Sequence, residues 1–572
     1  MIPGTHHGTL FLMLRRMRAP LILLIVIFAI SVLRLTIVPG FDEHGNPARM
    51  SFFHAFYFIS YTATTIGFGE VPNAFSEQQR MWATMCIYMS VVGWAYTIGT
   101  LFGLFQDKNF RHALRIERFA RAVRRLQEPF FLVCGYGETG SRLIRALDRM
   151  GMRVVVVEVD EIKAGELELQ AYHADIPTLV ADARHPEILR LAGLTNPNCR
   201  GVMALTNDDI VNLSIAIAAR LLAPKLPALC RSESPETSAN MASFGTSHII
   251  NPLQKFGEYL ELALHAPAAF HFLERLTGEP GITVKPHRDP PHGRWLLCGY
   301  GNFGRILTQS LRAEGVEVTV IDQGSPPDDF VGEWIRGDAT CGPALRAAGV
   351  EQASGIIACV GDDVNNLSIA VTARHLRPDV FVILRQNHYS NAPLFDAFPS
   401  DLRVVSSRIV AHECLAILTT PLLVPFLEQI KHSDEAWSRS VVDRLTGRFG
   451  WNVPTIWSVR INSEHAPALF RKMMPAGPEI TLEALLRDPS NRAHALECEV
   501  LYIIRTDDKA ILLPEPDSEL RAGDQLLVVG RREARGALAL TLENPNTLDY
   551  VLTGKDMPGG WVWEKLASRR AA

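Results

Sequence analysis

Two long apolar stretches near the N-terminus dominate the pattern of hydrophobic and polar positions. Residues 20–38 carry one charge, Arg34, near their end, and residues 81–105 carry none. At about 1.5 Å of rise per residue, either stretch can cross a hydrocarbon core of ~30 Å as a helix. We therefore predict an outer helix over 20–38 and an inner helix over 79–105. A signal peptide is the alternative for the first stretch, but no small-residue cleavage site follows it and a second span does.

Basic residues predict how these spans are oriented. Arg15, Arg16 and Arg18 precede the first span. A larger group follows the second span: Lys108, Arg111, Arg115, Arg118, Arg121, Arg124 and Arg125. Because positive charge favours the cytoplasmic side, we expect a multi-pass protein of the cell (inner) membrane, with the N-terminus 1–19 and the C-terminus cytoplasmic. Residues 106–128 are predicted as a basic linker helix, which acts as a lever to the following domains or binds anionic lipid.

A short aromatic segment lies between the two spans. Residues 51–63 read SFFHAFYFISYTA, too short to span a bilayer, with Ser51 placed to cap a helix. We predict a re-entrant pore helix there, followed by non-helical backbone over 64–70. Such backbone at membrane depth must be buried in protein or face water. Glycines at 67 and 69 allow successive carbonyls to face one axis, as in a cation filter.

The residues Thr65-Ile66-Gly67-Phe68-Gly69-Glu70 resemble the potassium-channel selectivity filter, usually Thr-Val-Gly-Tyr-Gly-Asp. The resemblance implies that K+ binds at Thr65 to Gly69 and that the pore domain, 20–105, assembles as a homotetramer in the lipid bilayer. Phe68 lacks the tyrosine hydroxyl and Glu70 replaces aspartate, which leaves a non-selective cation channel as an alternative. The filter residues are Thr65, Ile66, Gly67, Phe68 and Gly69.

Glycines of the predicted inner helix are candidates for a gating hinge. Gly93 and Gly99 lie in its middle and second half. Glycine also occurs in membrane helices because it allows close packing of neighbouring helices. The sequence leaves two roles open for Gly93, a gating hinge or a site of close helix packing.

From residue 129 the pattern changes to alternating strands and helices, and it repeats. The order strand, glycine turn, helix, strand over 130–158 returns over 294–322. A period of a whole domain indicates tandem duplication of a doubly wound α/β fold. We predict two Rossmann-like parallel-sheet domains, over 129–290 and 291–430, and a small C-terminal α+β subdomain with a tail over 431–572. The fold class is thus a two-span α-helical pore domain joined to α/β domains.

Each copy carries a glycine-rich turn followed by an acidic residue. In the G-x-G-x-x-G pattern the glycines allow a tight turn, close approach of a pyrophosphate and close packing of the helix. Glu158 and Asp322 end the next strand, where a carboxylate accepts from ribose hydroxyls and repels a 2′-phosphate. We therefore expect NAD(H) or an adenine nucleotide (ADP, ATP or AMP) as the ligand, rather than NADP. The turns are Gly135, Tyr136, Gly137, Glu138, Thr139 and Gly140, and Gly299, Tyr300, Gly301, Asn302, Phe303 and Gly304.

Further charged residues recur in both copies. Asp182 and Asp338 close a third strand, where an acid reaches an adenine amino group. Arg231 and Arg385 close a fifth strand, near the position of the phosphates in this fold. The pairs Asp208-Asp209 and Asp362-Asp363 open a helix, so N-capping is their default role. Calcium binding stays open, because no calcium-loop spacing is present.

The repeated units resemble the domains that regulate conductance of potassium, called RCK or TrkA-N domains, over about 129–265 and 294–430. The resemblance implies a cytoplasmic ring of eight such domains beneath a tetrameric pore, which ligand binding opens or closes. Residues 252–276 and 407–430 lie where that family places its dimerising crossover helices. The sequence LRAGDQLLVVG, residues 520–530, resembles the small C-terminal subdomain of the same family.

Composition excludes several other classes of protein. The net charge is −4 and the pI is about 6.5, so nothing indicates a nucleic-acid partner. The nine cysteines stand singly, without the spacing of a zinc site or a disulfide framework. A membrane-tethered NAD-dependent oxidoreductase is an alternative, but no substrate domain with an acid/base pair follows either repeat. A regulatory subunit of a separate transporter is another, which the spans and the filter disfavour. We expect a ligand-gated potassium channel and not an enzyme.

Overall fold

The computed structural model describes residues 8–42, 44, 46–69, 73–277, 283, 288–431, 435–474 and 478–555. It divides into two compact units, Met1–Leu126 and Gln127–Ala572, and each is described by itself. Glu70, the last residue of the predicted 64–70 segment, lies outside the described residues.

The first unit is almost entirely helical. Two of its helices, Met17–Ile37 and Glu77–Gln106, are long and apolar enough to cross a membrane. A bent pair in the second unit, Ser406–Thr419 with Leu423–Ile430, has a similar composition but turns by 117°. The elements are α1 (Gly8–Ile37), β1 (Pro39–Phe41), β2 (Pro47–Arg49), α2 (Phe52–Ala63), α3 (Glu77–Gln106) and α4 (Lys108–Arg125).

Helix α1 begins at Gly8, well before the predicted start at residue 20. The prediction took the apolar stretch 20–38 as the helix, whereas the structure places Pro20 inside a longer helix. Proline is tolerated within helices of membrane proteins because neighbouring groups satisfy the freed carbonyl. The helical part of the N-terminus therefore extends into the 1–19 region that was predicted to precede the span.

Helix α3 is fixed to the end of α1 at its first turn. Ser76 accepts from the backbone amide of Gln79, and the Gln79 side chain accepts from the Ser76 amide, which forms a capping box. The Ser76 hydroxyl also donates to the carbonyl of Pro39 at 2.7 Å. The three apolar helices pack around a small core of Val32, Leu35, Ala55, Ile59 and Cys86. This packing holds the segment after α2 between the two candidate spans.

The first α/β domain has a six-stranded, all-parallel sheet in the order β5-β4-β3-β6-β7-β8. The order reverses between β3 and β6, which is where ligands bind in doubly wound folds. Its elements are β3 (Phe130–Cys134), α5 (Glu138–Arg149), β4 (Arg153–Glu158), α6 (Glu161–Leu169), β5 (Thr178–Val180), α7 (Pro186–Leu191), β6 (Cys199–Ala204), α8 (Asp209–Leu222), β7 (Ala228–Arg231), α9 (Pro235–Ser243), β8 (His248–Ile250), α10 (Pro252–His265) and α11 (Pro267–Thr277).

The second α/β domain repeats this topology, with the order β11-β10-β9-β12-β13-β14. One connection differs, because β10 passes to β11 through a loop where the first domain has helix α6. The elements are β9 (Arg294–Cys298), α12 (Asn302–Ala313), β10 (Glu317–Asp322), β11 (Glu333–Arg336), α13 (Gly342–Ala347), β12 (Gly355–Ala358), α14 (Asp363–Leu376), β13 (Phe381–Gln386), a 3₁₀ turn (Tyr389–Asn391), α15 (Ala392–Ala397), β14 (Leu402–Val405), α16 (Ser406–Thr419) and α17 (Leu423–Lys431).

A smaller subdomain follows, with a four-stranded antiparallel sheet in the order β15-β18-β16-β17. Its elements are α18 (Glu435–Phe449), β15 (Thr455–Arg460), α19 (Pro467–Met473), α20 (Leu482–Leu485), β16 (Cys498–Ile504), β17 (Ala510–Leu512), β18 (Gln525–Gly530), α21 (Arg532–Glu543) and α22 (Pro545–Thr553). The predicted fold class is confirmed in all three parts: two apolar helices, two parallel-sheet domains and an α+β subdomain.

The two α/β domains pack on each other reciprocally. Helix α10 of the first domain packs on α12 of the second, and α16 of the second packs on α5 of the first. At the first contact the rings of Phe256 and Phe303 lie 5.8 Å apart, edge to face. Each glycine turn therefore begins a helix that is covered by a helix of the other domain.

Candidate functional site

The pore helix and the filter segment follow directly on one another. The Ser51 side chain accepts from the backbone amide of His54 at 3.3 Å, so the predicted N-cap is present. Helix α2 ends at Ala63, and the amides of Ile66 and Gly67 both donate to the carbonyl of Tyr61, at 3.0 and 3.2 Å. These bonds turn the chain back past the end of the helix.

Backbone angles alternate along the filter segment. Thr65, Gly67 and Gly69 have φ of 61°, 64° and 72°, whereas Ile66 and Phe68 between them do not have positive φ. A backbone that alternates in this way places successive carbonyl oxygens on one side, whereas a regular strand places them on opposite sides. A threonine in the left-handed region costs about 1–3 kcal/mol, and such strain is concentrated at functional sites.

Side chains of the filter segment lie on its outside. The Phe68 ring is 6.4 Å from Tyr61 of the pore helix, in an edge-to-face arrangement. Ile66 and Phe68 are 61% and 71% exposed within one chain. The carbonyls, rather than these side chains, are therefore the groups that can face an ion.

The two candidate hinge glycines differ in their surroundings. A Cβ on Gly93 would lie 3.0 Å from Ile27 Cδ1 and 3.1 Å from Leu24 Cδ2, so α1 packs closely there. A Cβ on Gly99 would meet nothing within 4 Å. Helix α3 continues through both positions. Close packing against α1 accounts for glycine at position 93, and packing within the chain does not account for Gly99.

The glycine turns have the same geometry in both α/β domains. Gly135 and Gly299 have φ of 102° and 100°, which other residues rarely adopt. A Cβ on Gly140 would lie 2.0 Å from the carbonyl oxygen of Gly135, and the matching distance for Gly304 is 2.2 Å. By contrast, a Cβ on either middle glycine, Gly137 or Gly301, would meet nothing within 4 Å. The middle position therefore leaves room for a ligand to approach the backbone.

The ribose-site acids are held by backbone amides. Glu158 accepts from the amides of Tyr136 and Asp160, and it is only 6% exposed. Asp322 accepts from the amides of Tyr300, at 2.8 Å, and Gly324, at 2.7 Å. Asp322 is partly exposed. The second-domain acid is thus the more accessible of the two.

The acids after the third strands have different partners. Asp182 accepts from the Arg184 guanidinium, with Nη2 at 2.6 Å from Oδ2, and this hydrogen bond holds the pKa of Asp182 below its usual range. Asp338 accepts from the hydroxyl and the amide of Thr340, at 2.7 and 2.9 Å, and these bonds lower its pKa. Among the described residues, the first-domain acid is paired with a cation and the second-domain acid is not.

The arginines at the ends of the fifth strands also differ. Arg231 donates to Asn207 at 2.7 Å and forms an ion pair with Glu233. The Arg385 guanidinium lies 5.1 Å from the ring centroid of Phe303, which belongs to the glycine turn. Within the described parts of the chain, Arg385 has no carboxylate at ion-pair distance.

The repeated aspartates are structural. Asp208 accepts from the amides of Ile210 and Val211 at the start of α8, and Asp362 accepts from the amide of Asn365 at the start of α14, so the N-capping prediction is confirmed for these two. The second aspartate of each pair, Asp209 or Asp363, instead accepts from backbone amides of the segment that follows the fifth strand. No group of three or more His, Cys, Asp or Glu side chains among the described residues is placed to hold a metal ion.

One contact between the domains was missed by the sequence analysis. Glu138 of the first glycine turn accepts from the amide of Tyr389 at 2.6 Å and from the hydroxyl of Ser407 at 3.3 Å. The Arg142 guanidinium lies 4.3 Å from the centre of the Tyr389 ring. Aligning the two copies places Glu138 opposite Asn302 and would have marked this position as one where the charge differs.

Comparisons with known proteins agree with this architecture. The family described as "Ion channel" matches residues 21–107, and the TrkA-N domain family matches residues 131–252 and 295–406. The chain is 25% identical over 322 residues to potassium channel protein 1 of Methanocaldococcus jannaschii, covering 54% of this chain and 89% of that protein. It is 26% identical over 182 residues to the voltage-gated potassium channel Kch of Escherichia coli, covering 31% of this chain and 41% of Kch.

The solved structures compared with this chain include a channel with a bound nucleotide. The GsuK channel bound to NAD is 18% identical, with a TM-score of 0.47, and the match covers 93% of this chain and 99% of that one. The chain thus has an ion-channel domain with two candidate membrane helices and two TrkA-N domains.

Proposed function

On the premise that the chain is homologous to prokaryotic potassium channels with TrkA-N domains, we propose that it is a potassium-selective channel whose α/β domains bind a nucleotide and control the pore. The observation that carries the proposal is the alternation of positive φ at Thr65, Gly67 and Gly69, directly after a short helix between two candidate spans. Carbonyls arranged in this way replace the hydration shell of K+.

One chain supplies one filter strand, and a ring of carbonyls needs several. We therefore propose a homotetramer, in which the exposed side chains of Ile66 and Phe68 are covered by the other chains. Four chains bring together eight α/β domains, which form the gating ring. The arginines near the start of the first candidate span and along α4 support an orientation with both termini in the cytoplasm.

The α/β domains act as regulators and not as an enzyme. NAD(H), ADP, ATP or AMP fits a glycine turn followed by a carboxylate at the end of the next strand. A ligand shifts the open fraction of the channel only by its difference in affinity between the open and closed rings. Helix α4, which continues from the inner helix α3, is the mechanical link on the pore side.

The test is the reversal potential of the purified chain in liposomes under a K+/Na+ gradient. We expect a reversal close to the potassium equilibrium potential, and an open probability that changes when ADP or NAD(H) is added on the cytoplasmic side. Gly67→Ala should abolish K+ selectivity or current, because Gly67 has a φ of 64°. Gly103→Ala is the matched control, since a Cβ there would meet nothing within 4 Å.

Two results would contradict the proposal. A reversal near zero with clear currents would mean that the filter does not select K+. An open probability that none of these nucleotides changes would mean that the α/β domains respond to another class of ligand.

A further inference from the structure

The charged side chains around the two glycine turns differ in whether neighbouring residues already pair with them. We infer that the second domain carries the pyrophosphate-binding site of this chain. In the first domain the corresponding charged side chains are already paired with neighbouring residues, and that site binds no pyrophosphate. The inference rests on the proposed function, because it assigns the adenine nucleotide to one of two sites.

The phosphate end shows the difference most clearly. In the first domain the charge of Arg231 is neutralised by Glu233, and Asn207 takes a further donor of its guanidinium. The corresponding residues of the second copy are Asn387 and Gly361, which carry no charge. Arg385 is therefore a cation without an acidic partner among the described residues, and it lies against the glycine turn through Phe303. Unpaired guanidinium donors of this kind bind phosphate in a forked geometry.

The first residue of the helix after each turn reinforces the difference. Glu138 places a carboxylate in the first turn of α5, where a helix favours an anion, and that carboxylate accepts from the amide of Tyr389. A pyrophosphate at this helix would be repelled by Glu138. Asn302 is the matching residue of α12, and its side-chain oxygen accepts from Arg305 at 3.2 Å. The side chain at this position of the second turn is neutral and does not repel a phosphate.

The acids expected to bind the nucleoside differ between the domains in the same direction as the arginines expected to bind phosphate. Asp182 of the first domain is already bound by the cationic Arg184, whereas the partner of the Asp338 side chain among the described residues is the neutral Thr340. Glu158 is buried, and Asp322 is partly exposed. An adenine nucleotide therefore meets acceptors in the second domain that are more accessible, or not paired with a cation among the described residues, beside an arginine without an acidic partner there.

Calorimetric titration of the purified full chain with ADP tests this assignment. We expect one ADP per chain. Arg385→Gln should weaken ADP binding about tenfold or more, since a charged hydrogen-bond pair to phosphate is lost. Arg231→Gln is the matched control and should change the affinity less than about twofold, because Arg231 is already neutralised.

A second pair of variants does not disturb the arginines. A Cβ at Gly301 or Gly137 meets no protein atom within 4 Å, so Gly301→Ala and Gly137→Ala should both fold. Only Gly301→Ala should weaken ADP binding, because its methyl group occupies the space that the pyrophosphate approaches. Conversely, Glu233→Asn frees Arg231 and should add a second, weaker ADP site.

The outcomes separate this inference from the proposed function. Two ADP per wild-type chain, or a loss of binding in Arg231→Gln but not in Arg385→Gln, would overturn the inference and leave nucleotide gating intact. Binding of one ADP, with currents that respond to none of ADP, ATP, AMP and NAD(H), would overturn nucleotide gating and leave the inference intact. Absence of any ADP binding would overturn the inference, and nucleotide gating would then stand or fall on the response of the currents to NAD(H), ATP and AMP.

Discussion

A buried asparagine ties the ends of the fourth and fifth strands together in both α/β domains. Asn212 donates to the carbonyls of Thr206 and Arg231, at 2.9 and 3.0 Å. Asn366 makes the matching bonds to Val360 and Arg385, at 2.9 and 3.0 Å. The asparagine therefore makes the same two bonds to backbone carbonyls beneath the ligand crevice in both copies.

Around the same crevice the copies have diverged. In the first domain the Tyr136 hydroxyl lies 2.9 Å from that of Tyr172, which follows helix α6. In the second domain a loop replaces that helix, and the Tyr300 ring packs edge to face with Phe330 and Trp334, each 5.2 Å away. The comparison teaches that the turn geometry is a requirement of the fold, whereas its surroundings were free to change.

The largest loss of stability is expected at the third glycine of each turn, where the two copies should respond alike to substitution. Gly304→Ala and Gly140→Ala each place a methyl group about 2 Å from a backbone carbonyl that cannot move away. We expect each variant to lose more than about 3 kcal/mol of unfolding free energy, or to fail to fold. Denaturant unfolding of the detergent-solubilised chain measures this. Gly137→Ala is the control, and stability of either variant close to that of wild type would break the comparison.

A smaller effect on stability is expected at a position where the matching helices α10 and α16 carry different ionisable residues. His412 occupies the position in α16 that Glu258 has in α10. Burial, together with the charges of the nearby Arg408 and Arg142, lowers the pKa of His412 to about 4. Because the unfolded histidine has a pKa near ~6.5, the unfolded state binds more protons below that pH. The stabilisation that neutral His412 contributes is present above about pH 6.5 and is lost as the pH falls toward 4.

Thermal midpoints of wild type and His412→Gln between pH 7.5 and about 4.5 check this sign. We expect wild type to lose about 2 kcal/mol more stability than the variant over this range. Equal slopes for the two proteins would show that His412 does not contribute to the acid sensitivity.

The smallest effect is expected at the contact that only one glycine turn makes. Glu138→Ala removes the acceptor for the Tyr389 amide and should cost about 1 kcal/mol, since the site is partly exposed to water. Asn302→Ala, at the matching position of the second copy, should cost less than about 0.5 kcal/mol. Denaturant unfolding compares the two, and equal losses would mean that the contact contributes nothing specific.

Much of the scaffold could be predicted from sequence, because local rules govern it. Glycines 135 and 299 need positive φ, and a serine or aspartate before an apolar run caps a helix, whatever surrounds them. The pairing of Arg231 with Glu233 could not be predicted, because it depends on how the chain turns after β7. Glu138 meets Tyr389, 251 residues later in the chain, only because the two domains pack together. Local patterns carry no information about such a contact.

The reciprocal packing of α10 on α12 and α16 on α5 has a consequence for how such a protein can evolve. Two identical chains paired in this way would express every substitution twice, once in each crevice. Here both partners are encoded in one polypeptide, so a single codon change is expressed in one crevice only. One copy can therefore retain an ancestral specificity while its twin drifts, and their shared interface is inherited as a unit.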